Sequence, residues 1–305
     1  MGLAVASPIR LRLPATSANL GAAFDTGAVA LDFHLTIHAE VADEFRIAAT
    51  GRNADLCARL ENNLILDTYR ELLGRVGEEV VPLAIRMENQ IPLGMGCGSS
   101  AAGRLAAIAL ANHFGQFGWT SEEILSEACQ QEGHPDNAAA CWLGGMVVAA
   151  CEGKVIHVAK VEPPTDWRAL IVLPANPVAT SHARGVLPEY YSRADAVANI
   201  QAASLLGLAF AQGRGDLLRP AMADRLHQPF RAGICPLLPR LLPLAGQLGI
   251  LGVALSGAGP SVLLVVESDK AVRQARDLAL AQLGNEDVEF VVAKFAANGR
   301  ESSEP

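Results

Sequence analysis

The chain has 305 residues, half of them hydrophobic, and a formal net charge of −8, which allows about two domains and a sizeable core. The acidic balance argues against a nucleic-acid partner. No apolar run reaches the roughly 18 residues of a membrane span, and the first 12 residues do not read as a signal peptide. Cys57, Cys97, Cys129, Cys141, Cys151 and Cys235 show no Cys-x-x-Cys spacing, so buried free thiols in a reducing cytoplasm are expected, without disulfides or structural zinc.

Residues 9–14 alternate apolar side chains with arginines and predict an amphipathic strand. Pro14 to Gly21 reads as a turn-rich loop, and Ala28 to Glu40 as a second strand region. Asn62 and Asn63 offer a cap for a helix reaching Leu73, with Gly74 or Gly77 as its stop. Val81 to Met87 predicts a strand and Ala101 to Phe114 a helix. Thr120-Ser121-Glu122-Glu123 predicts a capping box on a helix running to about Gln131. Glu132-Gly133-His134-Pro135-Asp136-Asn137 interrupts it. Met146–Cys151 and Val155–Lys160 read as a hairpin around Glu152-Gly153. Pro163-Pro164 marks the expected boundary between a domain at 1–163 and one at 164–305. The second half predicts a strand at Ala169–Leu173 and helices around 193–212 and 236–247. A strand at Leu251–Leu255 then turns through Ser256–Ser261 into another ending at Val266. A helix at 269–283 and a strand at 288–294 follow, and residues 297–305 are expected to be a disordered tail.

Between the strand at 81–87 and the helix at 101–114 lies Pro92-Leu93-Gly94-Met95-Gly96-Cys97-Gly98-Ser99-Ser100-Ala101-Ala102. Glycine tolerates positive φ and lets a ligand approach the backbone. A helix start adds unpaired N–H groups and a partial positive charge, which suit phosphate. A side chain at Gly98 is therefore expected to obstruct a phosphate. The Walker A pattern is excluded, because it needs lysine and the four lysines are Lys154, Lys160, Lys270 and Lys294. The dinucleotide fingerprint has a different glycine spacing. A lysine-free loop leaves backbone donors, arginine and a metal to neutralise a triphosphate, and Ser100 is placed to offer a hydroxyl to Mg²⁺. Glu132, His134, Asp136 and Asn137 crowd four polar groups at a helix break, where carboxylates can hold Mg²⁺ or take a hydroxyl proton. Taken alone, Asn19 and Asp25 read as turn residues, and Arg184 and Arg231 as surface arginines.

The stretch from Pro92 to Ala102 resembles the ATP-binding motif of the GHMP kinases. Cys97 stands where leucine is usual, and Arg104 on a helix face that usually reads apolar. Pro14-Ala15-Thr16-Ser17-Ala18-Asn19-Leu20-Gly21 with Phe24-Asp25 resembles the first motif of the homoserine kinase branch, with Gly21-Ala22-Ala23 for Gly-Pro-Gly. Glu132 to Asn137, followed by Leu143-Gly144-Gly145, is similar to the same branch. Ser256-Gly257-Ala258-Gly259-Pro260 is similar to the third family motif, with Ala258 for serine. The resemblance implies an α+β fold of two domains, the first like ribosomal protein S5 and the second ferredoxin-like. It implies a transferase that phosphorylates the L-homoserine hydroxyl with ATP and Mg²⁺, a step toward threonine. Residues 92–102 would bind ATP, with Asn63 as an adenine contact. Ser100 and Glu132, or less directly Glu127, would hold Mg²⁺. Asn19, Asp25, His134, Asp136, Arg184, Arg231 and Gly257 would bind substrate, with Asp136 and Asn137 beside the chemistry. Arginine forks suit the substrate carboxylate. Two alternatives are another GHMP kinase acting on mevalonate or a sugar, and a non-enzymatic metabolite-binding relative. The expected partners are ATP and L-homoserine, with a homodimer left open and no nucleic acid or membrane.

Overall fold

The structure is a computed structural model and describes residues 6–177 and 180–303. The strands in chain order are β1 (Ile9–Asn19), β2 (Ala23–Val41), β3 (Arg46–Gly51), β4 (Leu83–Asn89), β5 (Met146–Glu152), β6 (Val155–Val161), β7 (Arg168–Pro174), β8 (Ile250–Leu255), β9 (Val262–Val266), β10 (Val288–Lys294) and β11 (Glu301–Ser303). One sheet runs β11-β1-β2-β4-β3, with β5 beside β2 and β6 beside β5; the other runs β10-β7-β9-β8. The first half also holds α1 (Ala54–Cys57), α2 (Leu64–Val76), α3 (Ser99–Phe114), α4 (Ser121–Glu132) and α5 (Asp136–Leu143). The second half holds α6 (Thr180–Gly185), α7 (Arg193–Ala211), α8 (Leu218–Ala221), α9 (Gln228–Arg231), α10 (Leu237–Leu241) and α11 (Asp269–Leu283).

Local chemistry explains the helix ends. The Asn63 side chain accepts from the Ile65 and Leu66 N–H groups, and Gly77 closes α2 at φ 82°. Thr120 and Glu123 form the expected capping box on α4. Alanines at 102, 106, 107 and 111, with Leu105 and Leu110, are buried along α3. Small residues let α2 and α3 approach closely, and each buried leucine contributes roughly 1.5–3 kcal/mol.

Several expectations are corrected. β1 does not end at Pro14 but continues to Asn19, with register shifts after Pro14 and after Ala18. Leu13 to Asn19 are all buried, so small Ala, Ser and Thr side chains fit where a loop was expected. Proline has no N–H to give the ladder, so a bulge follows it. The helix around 236–247 is α10 followed by a 3-10 turn at Leu242–Leu244, because Pro243 removes a donor. α7 is also long and apolar enough, by length and composition, to cross a membrane. Asn199, Gln201 and Ser204 interrupt it without adding charge, so a search for consecutive apolar residues missed it. It packs Ala202, Leu206, Ala209 and Phe210 inward, and Asn199 Nδ2 donates to the Ala22 carbonyl.

The expected tail is ordered as far as residue 303; residues 304–305 lie outside the described residues. β11 pairs antiparallel with β1. Gly145 N donates to Ala296 O at 2.7 Å, and Arg300 N to Trp142 O at 3.1 Å. The Arg300 guanidinium lies 4.3 Å over the Trp142 ring. This strap therefore holds the C-terminal end of α5, whose first turn carries Asp136. Deleting residues 297–305 is expected to cost roughly 2–3 kcal/mol, from lost hydrogen bonds near 1 kcal/mol each. Thermal melting checks this, and an unchanged midpoint would contradict a structural strap.

Candidate active site

Three segments far apart in sequence converge. Where β1 gives way to β2, Asn19 at the end of β1 (φ 70°) and Asp25 near the start of β2 (φ 55°) adopt positive φ, which asparagine and aspartate tolerate better than most residues. Asn19 Oδ1 accepts from Asp25 N at 2.9 Å, and Asn19 Nδ2 donates to Gly257 O at 2.8 Å. In the glycine stretch, Gly94, Gly96 and Gly98 sit at φ 70°, 75° and 72°. Thr16 N donates to Cys97 O at 3.1 Å, and Gly257 N to Ala18 O at 3.0 Å. The Ser256 hydroxyl bonds the Gly96 carbonyl and the Ser17 hydroxyl, each at 2.8 Å.

This packing changes the reason Gly98 must be glycine. A Cβ there would lie 1.9 Å from Thr16 Oγ1, so it meets the protein's own strand before any ligand. Gly98→Ala is expected to cost about 1–3 kcal/mol from backbone strain alone, with the clash added. The melting midpoint should fall even without nucleotide; an unaltered midpoint would return the explanation to phosphate access.

A cleft of about 500 Å³ opens here. Part of its wall is apolar, from Leu56, Leu64, Ile65, Met87 and Ile91. Another part is charged, from Asp25, Glu132, His134, Asp136, Arg184 and Arg231. Asp136 is buried in the first turn of α5, where the helix dipole favours a carboxylate. Its Oδ1 accepts from Asn137 N (2.6 Å) and Asn137 Nδ2 (3.2 Å), and lies 2.6 Å from His134 Nδ1. The Thr16 hydroxyl donates to Asn137 Oδ1 at 2.7 Å, tying α5 to β1. Asp25, His134 and Asp136 each bring a ligand-type atom within 4.8 Å of the others.

Arg184 forks onto Asp25, Nη2 to Oδ1 at 2.7 Å and Nη1 to Oδ2 at 3.0 Å. Arg231 differs. Its side chain is 1% exposed, yet it forms no ion pair among the described residues. Nε donates to Ala183 O at 3.0 Å and Nη1 to Gly257 O at 3.4 Å. Burial, with Arg184 nearby, lowers its pKa from the usual value. A buried guanidinium facing a cleft without a carboxylate partner is costly unless a ligand anion joins it.

Ser100 Oγ donates to Glu132 Oε1 at 2.7 Å, and Arg104 Nε donates to the same oxygen at 2.6 Å. A hydroxyl and a carboxylate side by side are the hard oxygen donors that Mg²⁺ takes, so these residues fit that ion. Glu127 instead pairs with Arg75 at 2.7 Å and lines a separate surface groove.

The family description "GHMP kinases N terminal domain" matches residues 63–145, and "GHMP kinases C terminal" matches 208–282. A homoserine kinase of Solibacter usitatus is 41% identical over 258 residues, 84% of this chain and 84% of its own. The chain belongs to the homoserine kinase branch of the GHMP kinase family. A homoserine kinase of Deinococcus radiodurans is 38% identical, over 85% of this chain and 84% of its own. The crystal structure of homoserine kinase from Cytophaga hutchinsonii shares the fold, with a TM-score of 0.82, 24% identity and 99% of each chain covered.

Set against the residues expected from the GHMP motifs, the cleft wall includes Asn19, Asp25, His134, Asp136, Asn137, Arg184, Arg231, Gly257, Ser100 and Glu132. It also includes Leu93, Gly94, Gly96, Gly98, Ser99 and Ala101, whereas Pro92, Met95, Cys97 and Ala102 do not line it. The Cys97 thiol is buried, which pushes its pKa up to about 12. Asn63 lines the cleft, but its Nδ2 donates to Cys57 O and Arg59 O while its Oδ1 caps α2. Its amide is fully engaged, so it shapes the wall by packing. Asp25 and Arg184, expected to meet substrate separately, hold each other. Three residues gained a place at the site that sequence reasoning did not assign them: Thr16, Phe24 and His227. Arg104 was visible as a charge on an apolar helix, and its partner is Glu132. Phe24 lies 5.4 Å from the Arg231 guanidinium and 5.7 Å from that of Arg184.

Burial lowers the His134 pKa, but the hydrogen bond and charge of Asp136, with Asp25, outweigh it, and the net shift is upward. A raised folded-state pKa stabilises the fold fully below the unfolded value near 6.5. That contribution is lost as pH rises through the higher folded value. His134→Gln should therefore flatten the dependence of melting midpoint on pH above 6.5. A variant whose pH slope there matches wild type would contradict the charged pair.

Proposed function

We propose that the protein transfers the terminal phosphoryl group of ATP to the side-chain hydroxyl of L-homoserine, giving O-phospho-L-homoserine and ADP. One observation carries the reading: the charged wall holds a buried, carboxylate-free Arg231 beside the Asp25–His134–Asp136 cluster. That dipolar arrangement suits a zwitterionic amino acid. Mevalonate and sugars lack the ammonium. The homoserine kinase names of the relatives support the same choice.

In this reading Arg231 and Arg184 take the substrate carboxylate, and Asp25 and Asp136 take its ammonium. The zwitterion opens the Asp25–Arg184 pair and gives each member a new partner of opposite charge. Gly257 fixes the spacing, since its carbonyl accepts from both Asn19 and Arg231. Residues 94–101 receive the phosphates through backbone N–H groups at the α3 start. Ser100 and Glu132 would hold Mg²⁺, which supplies charge neutralisation on the phosphates. Phosphoryl transfer depends mostly on positioning, and its loose transition state needs little nucleophile deprotonation. Asp136, held by Asn137 and His134, therefore orients the substrate more than it removes a proton. We take the chain as two domains, 1–163 and 164–305, working in the cytoplasm with ATP and homoserine as partners. ADP release compared across homoserine, mevalonate and galactose tests the reading. Release stimulated by homoserine alone is expected; stimulation by mevalonate or galactose, or by none, would overturn it.

A further inference from the structure

We propose that His227 is a positioning residue for Arg231: a neutral ring that donates from Nε2 to the Gly21 carbonyl and accepts at Nδ1 from the guanidinium. The inference rests on the reading of Arg231 as the carboxylate-binding group. His227 occupies the N-cap position of α9, four residues before Arg231, and that spacing puts both side chains on one face.

Two contacts fix the tautomer. His227 Nε2 lies 2.8 Å from Gly21 O. A carbonyl oxygen only accepts, so Nε2 carries the hydrogen. His227 Nδ1 lies 3.1 Å from Arg231 Nη1. A guanidinium only donates, so Nδ1 offers its lone pair. A protonated ring would aim an N–H at another N–H and bring two cations together.

The surroundings agree with a neutral ring. His227 is fully buried, and burial lowers its pKa despite the opposing charge of Asp224. Asp224 lies 3.5 Å from Nε2, but its oxygens accept from the backbone N–H groups of Leu226, His227 and Gln228. The other charges acting on the ring are Arg231 and Asp25. Phe24 stacks on it at 5.1 Å and 25°.

The consequence is geometric. With Nε on Ala183 O and Nη1 shared by His227 and Gly257 O, Nη2 has no hydrogen-bond partner among the described residues and is left to serve the cleft. Gly21 lies in the turn between Asn19, which ends β1, and Asp25, near the start of β2. One ring thus ties the ammonium side of the pocket to its carboxylate side.

Two variants separate the ring's two contacts. His227→Gln can still donate toward Gly21 but offers Arg231 no acceptor at the Nδ1 position. It should raise the homoserine KM roughly tenfold or more, with much smaller changes in kcat and in the ATP KM. His227→Asn carries an oxygen near the Nδ1 position and should recover most of that loss. On an Arg231→Ala background, His227→Gln should add little further to the homoserine KM. If Arg231→Ala leaves the homoserine KM unchanged, the reading of Arg231 fails. If Arg231→Ala raises it and His227→Gln does not, the positioning role fails. Ring ¹⁵N shifts of the wild-type protein need no variant: the neutral Nε2–H form is expected near neutral pH, and the cation or the Nδ1–H form would overturn the proposal.

Discussion

Arg231→Ala is expected to raise the homoserine KM from roughly 30-fold to several thousand-fold while leaving the ATP KM near wild type. Removing one member of a buried ligand charge pair typically costs about 2–5 kcal/mol, and each 1.4 kcal/mol is about tenfold. Burial favours the high end, because Arg231 is 1% exposed and the lost guanidinium is poorly replaced by water. The substrate carboxylate would be left with Arg184 alone, a part-exposed guanidinium that it still has to draw from Asp25. Steady-state kinetics with each substrate varied in turn checks this. Equal rises in both KM values would indicate a general packing defect, since Arg231 also touches Ala183, Gly257 and Phe24.

Asp136→Asn gives the second large effect. Asparagine keeps an oxygen for the Asn137 N–H and for His134, so the local geometry survives while the charge goes. As an ammonium partner, Asp136 contributes a charge-assisted hydrogen bond, and its loss should weaken homoserine binding by roughly 10- to 150-fold. Were it instead an obligatory base, the rate of the chemical step would fall by roughly 10²–10⁴-fold with binding intact. Calorimetric homoserine affinity and single-turnover rates on the same variant separate these. Unchanged affinity with a collapsed rate would reverse the assignment.

What was legible in the sequence was mostly local. The Thr120 capping box, the Asn63 cap and the glycine turn depend on residues within a few positions of each other, and the chain forms them as their chemistry requires. The hairpin around Glu152-Gly153 is equally local. The charged groups of the site were legible as types, through the motif resemblance, but not as pairs. Asp25 and Arg184 are 159 positions apart, and nothing in either segment announces the fork between them. Arginine is usually exposed, so the burial of Arg231 follows from the packing of α9 against the β1–β2 connection. β1 was cut short because proline and small polar residues look like a turn, although they are also what a strand buried on both faces can accommodate. The strap at 295–303 was missed because its contacts lie with Gly145, Trp142 and Arg12, more than a hundred residues away. The choice between Glu132 and Glu127 rested on which face of α4 meets α3, which sequence spacing leaves open.

The central claim is the identity of the product. The most direct measurement is ³¹P NMR of the purified protein incubated with ATP, Mg²⁺ and L-homoserine. Mass spectrometry of the same mixture locates the phosphate. The account predicts a new phosphomonoester signal, growing in step with ADP and carried on the homoserine side-chain oxygen. ADP appearing together with inorganic phosphate, and no phosphorylated homoserine, would contradict it.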